Sequence, residues 1–236
     1  MKEPLVLLPE MMCDARLFGP QIAELSCDTA VMVAPITMGD RVEETASALL
    51  DILPKRFALA GLSMGGIVAM EILRRAPDRV TRIALMDTNP LAETPVSAAN
   101  REPQIVKVRS GRLAEVMRDE VQPTHLAPSP YRGEVLELVM DMAQTLGPDV
   151  FIRQSRVLQR RKDQQATLRK CRVPALVLCG AYDALCPPKR HEFMAELIPY
   201  ARLTVLDGSG HFPTLEQPAE TTAALREWMN QPYVLT

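Results

Sequence analysis

Aromatic residues are scarce in this chain: they make up 4% of its 236 residues, with a single Trp, and only three His are present. The shortage of His confines any chemistry that needs an imidazole to His125, His191 and His211. Charge of one sign is also lacking. Lys and Arg number 27 against 29 Asp and Glu, for a formal net charge of −2. That balance gives no basic surface for nucleic acid or an anionic membrane. The five Cys (Cys13, Cys27, Cys171, Cys179 and Cys186) are odd in number and follow no C-x-x-C or zinc-type spacing. Reduced thiols in a cytosol fit this pattern better than a disulfide framework or a metal cluster. No apolar run nears the roughly 20 residues of a membrane span. The early run Leu5–Leu8 is too short for the apolar region of a secretory signal, and no cleavage-type small residues follow it. There is no internal repeat and no low-complexity tract. These absences predict a soluble, cytoplasmic protein whose partner is a small-molecule substrate, with no nucleic acid and no membrane.

What is present suits a folded domain. Hydrophobic residues are 47% and charged residues 24%, close to the globular average, and the length fits one domain or one domain with an insertion. Short apolar runs recur at Leu5–Leu8, Val31–Ala34, Phe57–Ala60, Arg82–Met86, Ala175–Cys179 and Leu203–Leu206. They are nearly continuous rather than alternating, as strands buried on both faces of a parallel sheet read. Helical patterns lie between them at Arg41–Leu53, Met64–Arg75, Pro188–Ile198 and Pro218–Met229. The alternation predicts an α/β doubly wound sheet. It breaks between Asn89 and Thr167, where helices are expected at Arg101–Val108, Leu113–Val121, Tyr131–Leu146 and Asp149–Arg160 and no strand-like run occurs. The expected organisation is a core of residues 1–88 and 168–236 with a helical cap, 89–167, inserted in it. Within the cap, Arg153, Arg156, Arg160, Arg161 and Lys162 read as a solvated helix face rather than a phosphate site.

One stretch carries chemistry. In Phe57-Ala58-Leu59-Ala60-Gly61-Leu62-Ser63-Met64-Gly65-Gly66 an apolar strand runs into G-x-S-x-G and then a helical pattern. A serine on that sharp turn projects its hydroxyl above the sheet edge, and glycines two residues either side leave room for it. The helix opening at Met64 also points its positive end at the hydroxyl. A serine needs a base. His211, in Asp207-Gly208-Ser209-Gly210-His211-Phe212, follows the last strand, on the side where open α/β sheets bind ligands. His125 sits beside prolines in the cap, and His191, inside a helical pattern, is expected in a surface or half-buried role. The imidazole needs an acid to fix its tautomer. Asp183, just past a strand end in Gly180-Ala181-Tyr182-Asp183, takes that role. Asp87, after Met86, is the rival, and reads better as a hydrogen-bonded strand-end carboxylate.

With these residues in place, the chain resembles the α/β-hydrolase superfamily over essentially its whole length. Gly61-Leu62-Ser63-Met64-Gly65-Gly66, Gly180-Ala181-Tyr182-Asp183 with Pro187, and Gly210-His211-Phe212 with Glu216-Gln217-Pro218 carry the resemblance. It implies an α/β-hydrolase fold with a mainly parallel sheet of about six strands, because the first strand here corresponds to the family's third. It implies that the segment 89–167 is a lid. It implies a serine esterase with Ser63, His211 and Asp183 as catalytic triad, cleaving carboxylic esters of small to medium acyl compounds, with no metal and no organic cofactor. The oxyanion hole would be the backbone N–H groups of Met11 and Met64. The loop supplying Met11 often reads His-Gly-x in the family and here reads Leu8-Pro9-Glu10-Met11-Met12. Glu10 is the departure, since a carboxylate beside a developing oxyanion repels it. It either points outward into solvent, the simpler expectation, or tunes specificity. Met11, Met12, Met64, Glu10 and lid residues are the candidates for the pocket wall, their thioethers adapting to varied apolar groups. The resemblance also admits thioesterase, C–C hydrolase, hydroxynitrile lyase or cofactor-free haloperoxidase chemistry, a weakly catalytic small-molecule receptor, and a homodimer, since lids often supply contacts.

Overall fold

The near-continuous apolar runs are the strands of one sheet. In the computed structural model, which describes residues 3–233, they are β1 (Leu5–Leu8), β2 (Val31–Val33), β3 (Phe57–Leu62), β4 (Val80–Met86), β5 (Ala175–Gly180) and β6 (Ala201–Leu206). The order is β2-β1-β3-β4-β5-β6, and every adjacent pair is parallel. Every residue of β1, β3, β4 and β5 is buried. That explains the missing polar alternation: helices cover both faces. β6 closes one edge and is only half buried.

Alternate residues of each strand face opposite ways, so the sheet separates two apolar layers. Val6, Leu8 and Leu59 pack with α2 (Val42–Ile52), α3 (Met64–Arg75) and α9 (Pro188–Leu197). Leu5, Leu7, Ala58, Ala60 and Leu62 pack with α1 (Gly19–Leu25) and α11 (Pro218–Asn230), whose Trp228 is almost fully buried. The short α10 (Pro213–Glu216) precedes α11.

Between β4 and β5 the chain runs through α4 (Pro95–Arg109), α5 (Leu113–Glu120), α6 (Arg132–Leu146), α7 (Pro148–Gln159) and α8 (Gln165–Arg169). The first begins six residues before the expected Arg101. Its start has no apolar periodicity and is set by a cap instead: the Thr94 hydroxyl accepts the Ser97 N–H, with Pro95 at the first helical position. The last was not anticipated and packs against α3 and α9. Among the described residues, no helix is long and apolar enough to cross a membrane.

Candidate active site

Ser63 sits between β3 and α3 with φ 49° and ψ −109°, a region unfavourable for any side chain but glycine. The turn is held from both sides. The Ser63 N–H donates to the Met86 carbonyl at 2.8 Å, and the Thr88 hydroxyl donates to the Ser63 carbonyl at 2.6 Å. The flanking glycines are required by contact rather than by φ. A Cβ on Gly65 would lie 2.1 Å from the Leu8 carbonyl oxygen, and one on Gly61 would lie 2.3 Å from that of Gly65.

His211 follows β6, 2% exposed. Its Nδ1 is 2.9 Å from Asp183 Oδ2. Asp183 Oδ1 meanwhile accepts the N–H groups of Leu185 and Cys186 at 2.8 and 2.9 Å, so the loop after β5 fixes the carboxylate against the ring. Burial works against charge on Asp183, but the His211 charge and these amides prevail and lower its pKa. For His211, burial pulls the pKa down while Asp183 and Glu10 outweigh it, so the imidazole is held protonated above its ordinary range.

Asp87 also occupies the strand edge, fully buried and with φ 42°. Its Oδ1 accepts the Gly180 N–H at 2.9 Å, tying β4 to β5. Burial, then the neighbouring Asp183 charge, raise its pKa well above the carboxylate range. It is a strand-end carboxyl bonded to the neighbouring strand, as the sequence suggested, and Asp183 is the carboxylate that faces the imidazole.

Four expectations change. Glu10 does not point outward. Its carboxylate turns into the site, 15% exposed, with Oε2 accepting the Met64 N–H at 3.2 Å and lying 3.7 Å from His211 Nε2. Met12 does not line the pocket: it is buried in the core with φ 58°, and its N–H donates to Gln154 Oε1 on α7 at 2.9 Å. His191 is neither surface nor half-buried but fully buried. Its Nε2 accepts the Thr88 N–H at 3.0 Å, and burial lowers its pKa to about 4. A neutral ring thus holds the residue that holds Ser63. The basic cluster is not one solvated face either. Lys162 is exposed and pairs with Glu43, Arg153 Nε donates to the Thr37 carbonyl at 2.9 Å, and Arg161 is 12% exposed.

Ser63, His211, Glu10, Met11 and Met64 line one cavity of about 510 Å³, together with residues of α4, α5 and α7. The chain between β4 and β5 also braces the site directly. The His125 carbonyl accepts the His211 N–H at 2.8 Å. Gly210 stands so close to it that a Cβ would fall 2.3 Å from the His125 carbonyl oxygen. Glu216 gathers three amides: Phe212 on Oε1, and Gly210 and Ala127 on Oε2, at 2.7–2.9 Å. Sequence reasoning did not assign roles to Glu216, Gln154 or Thr88, and it read Arg161 as part of a solvated helix face. Glu216 had a signal, five residues after His211, and so had Gln154, one of two polar residues, with Ser155, on the mostly apolar buried face of α7.

Asp183, Cys186 and His211 place a carboxylate oxygen, a thiol and a ring nitrogen within 4.8 Å of one another. They suit a metal poorly. His211 Nδ1 is already committed to Asp183 at 2.9 Å, and Asp183 Oδ1 to two backbone N–H groups.

Parallel sheet, strained serine turn and paired imidazole together describe a hydrolase-like site. The profile of the alpha/beta hydrolase family matches residues 18–225, and the chain belongs to that family. A pimeloyl-(acyl-carrier protein) methyl ester esterase of Aromatoleum aromaticum is 27% identical over 220 residues, covering 80% of each chain. Among solved structures, a thermophilic esterase from Thermogutta terrifontis matches with a TM-score of 0.87 at 27% identity, over 96% of this chain and 89% of that one. The enol-lactonase from Burkholderia xenovorans LB400 matches with a TM-score of 0.85 at 23% identity, over 98% and 93%, a likeness of fold. The expectation of a hydrolase acting on ester bonds agrees with what the first two are called.

Proposed function

We propose that this chain is a serine esterase for carboxylic esters of small to medium acyl compounds, with 89–167 as a lid over the site. The observation that carries the reading is the His211–Asp183 pair at 2.9 Å in the cavity lined by the strained Ser63. Ser63 attacks the ester carbonyl carbon while its proton passes to His211 Nε2, and Asp183 holds the imidazole in the tautomer that makes this possible. The carbonyl oxygen, now negative, takes the N–H groups of Met64, at the head of α3, and of Met11, in the loop after β1. His211 returns the proton to the leaving alcohol, and water then cleaves the acyl-enzyme by the same steps. Glu10 must leave the Met64 N–H before the oxyanion can use it.

That last requirement favours a second reading, a binding protein on the same scaffold that hydrolyses slowly. The test is turnover of p-nitrophenyl esters from acetyl to decanoyl, with Ser63→Ala alongside and a fluorophosphonate probe as independent readout. For the esterase, Ser63→Ala lowers kcat on the order of 10³-fold or more, and the probe labels Ser63. If the folded protein neither turns over an ester nor takes the probe, the esterase reading fails and the binding protein replaces it.

A further inference from the structure

The cavity that Ser63 lines contains two arginines of the helical segment, Arg101 on α4 and Arg161 just beyond α7. Their side chains are 14% and 12% exposed. Each guanidinium has five N–H donors, yet each makes a single, long hydrogen bond among the described residues. Both go to Glu93: from Arg101 Nη2 at 3.4 Å and from Arg161 Nη2 at 3.2 Å. The Nε atoms of both are buried without a partner. Burial, with the like charges of Arg101 and Arg190, holds Arg161 below the ordinary arginine value in spite of Glu93.

Two largely buried cations sharing one carboxylate leave guanidinium donors unused, a costly arrangement in a folded protein. None of the other acids of this cavity is paired with either guanidinium among the described residues. Glu10 is bonded to Met64, Glu120 accepts Gln104 Nε2, and Asp119 is exposed. A planar or tetrahedral anion with two or more acceptor oxygens takes up these donors.

We propose that Arg101 and Arg161 form an anion subsite, so that the ester this enzyme takes carries a carboxylate or phosphate group remote from its scissile carbonyl. The proposal rests on Ser63 being the nucleophile and adds the class of acyl compound. It differs from a bracing role, in which Glu93 would simply clamp the two arginines together.

The test compares p-nitrophenyl hemiglutarate with p-nitrophenyl pentanoate, which has the same chain length and no charge. The subsite predicts a kcat/KM higher by about 10-fold or more for the hemiglutarate, carried in KM, and a ratio that collapses in Arg101→Gln and Arg161→Gln. Glutarate and inorganic phosphate as inhibitors of pentanoate hydrolysis decide which anion fits better. Equal or better hydrolysis of the pentanoate ester overturns the subsite and leaves Ser63 untouched. So does a ratio that survives in both arginine variants. If neither ester is hydrolysed, the nucleophile reading fails, and calorimetric titration of the Ser63→Ala protein with monomethyl glutarate decides the subsite alone. Binding that disappears with Arg161→Gln supports it, and no binding overturns it.

Discussion

The carboxylate of Glu10 accepts the backbone N–H of Met64 at 3.2 Å. That N–H heads α3, next to Ser63, so a negative oxygen of the protein itself already stands where a negative oxygen of the substrate is expected. The same Oε2 lies 3.7 Å from His211 Nε2. The resting site is therefore neutralised internally: Asp183 on one side of the imidazole, Glu10 on the other, and the helix end beneath. An arriving ester has to break this arrangement before its carbonyl can be polarised.

Replacing Glu10 by Gly is expected to raise kcat/KM for neutral esters on the order of 10-fold. Two like charges about 4 Å apart repel by ~4 kcal/mol at an effective dielectric constant of about 20, and a Glu10 that swings aside avoids part of this. Glu10→Gln keeps the size and removes the charge, so it separates crowding from repulsion. Steady-state rates on p-nitrophenyl butyrate measure both. Lower activity in both variants would mean that Glu10 takes part in the reaction instead of blocking it.

The pH profile follows from the same contact. His211 acts as base only when neutral, and its pKa is raised: burial opposes the charge, but Asp183 and Glu10 outweigh it. Asp87, the Cys186 thiol, His191 and His125, whose own pKa is lowered by burial and by His211, are the other titratable groups close by. Activity should rise toward alkaline pH with a midpoint above the ordinary imidazole value of about 6.5. In Glu10→Gln one of the two anions is gone, and the midpoint should fall. Stability should move the opposite way. A raised folded pKa contributes stability that is complete below the unfolded value and lost as pH rises through the folded one. Denaturant titrations from neutral to alkaline pH check this, and a midpoint that does not move in Glu10→Gln counts against it.

Much of this was legible in the sequence because parallel strands buried on both faces leave nearly unbroken apolar runs, and because Ser63, Asp183 and His211 each follow such a run. The fixed geometry of a strand end does the placing, so neighbours along the chain suffice to find them. Glu10 was legible as a departure but not in its direction, since which way a loop side chain turns depends on Met64, 54 positions away. His191 misled because a helix in a doubly wound fold has a buried side, and its partner Thr88 lies 103 positions away. Met12 misled because its neighbour Met11 does line the cavity, while φ 58° turns Met12 into the core.

Asp183 and Asp87 should behave differently on amidation. Asp183→Asn leaves the shape of the site but favours the wrong tautomer of His211, and a loss on the order of 10⁴-fold in kcat is expected. Asp87 is buried, with its pKa raised, and bonded to the Gly180 amide through Oδ1, so Asn keeps its size and that bond. Asp87→Asn should change kcat by less than about 10-fold. Equal losses from the two variants would mean that the carboxyls act as one unit.

Glu216 links the loop that carries His211 to the helical segment above it. Its two oxygens hold the N–H groups of Gly210 and Phe212, on either side of His211, and that of Ala127 across the boundary. Hydrogen bonds to a charged acceptor are worth about 1.5–3 kcal/mol each, and Ala removes all three, so Glu216→Ala should destabilise the fold by roughly 3 kcal/mol or more. Glu216→Gln is the sharper probe. An amide nitrogen cannot accept, so whichever way the side chain turns, at least one amide beside His211 or Ala127 loses its partner. A loop that holds its base less firmly lowers kcat more than it raises KM, because the base matters in the transition state. Glu216→Gln should therefore cut kcat by about 10-fold with a small change in KM. A variant that loses thermal stability but keeps kcat would show that Glu216 only closes the fold and does not position His211.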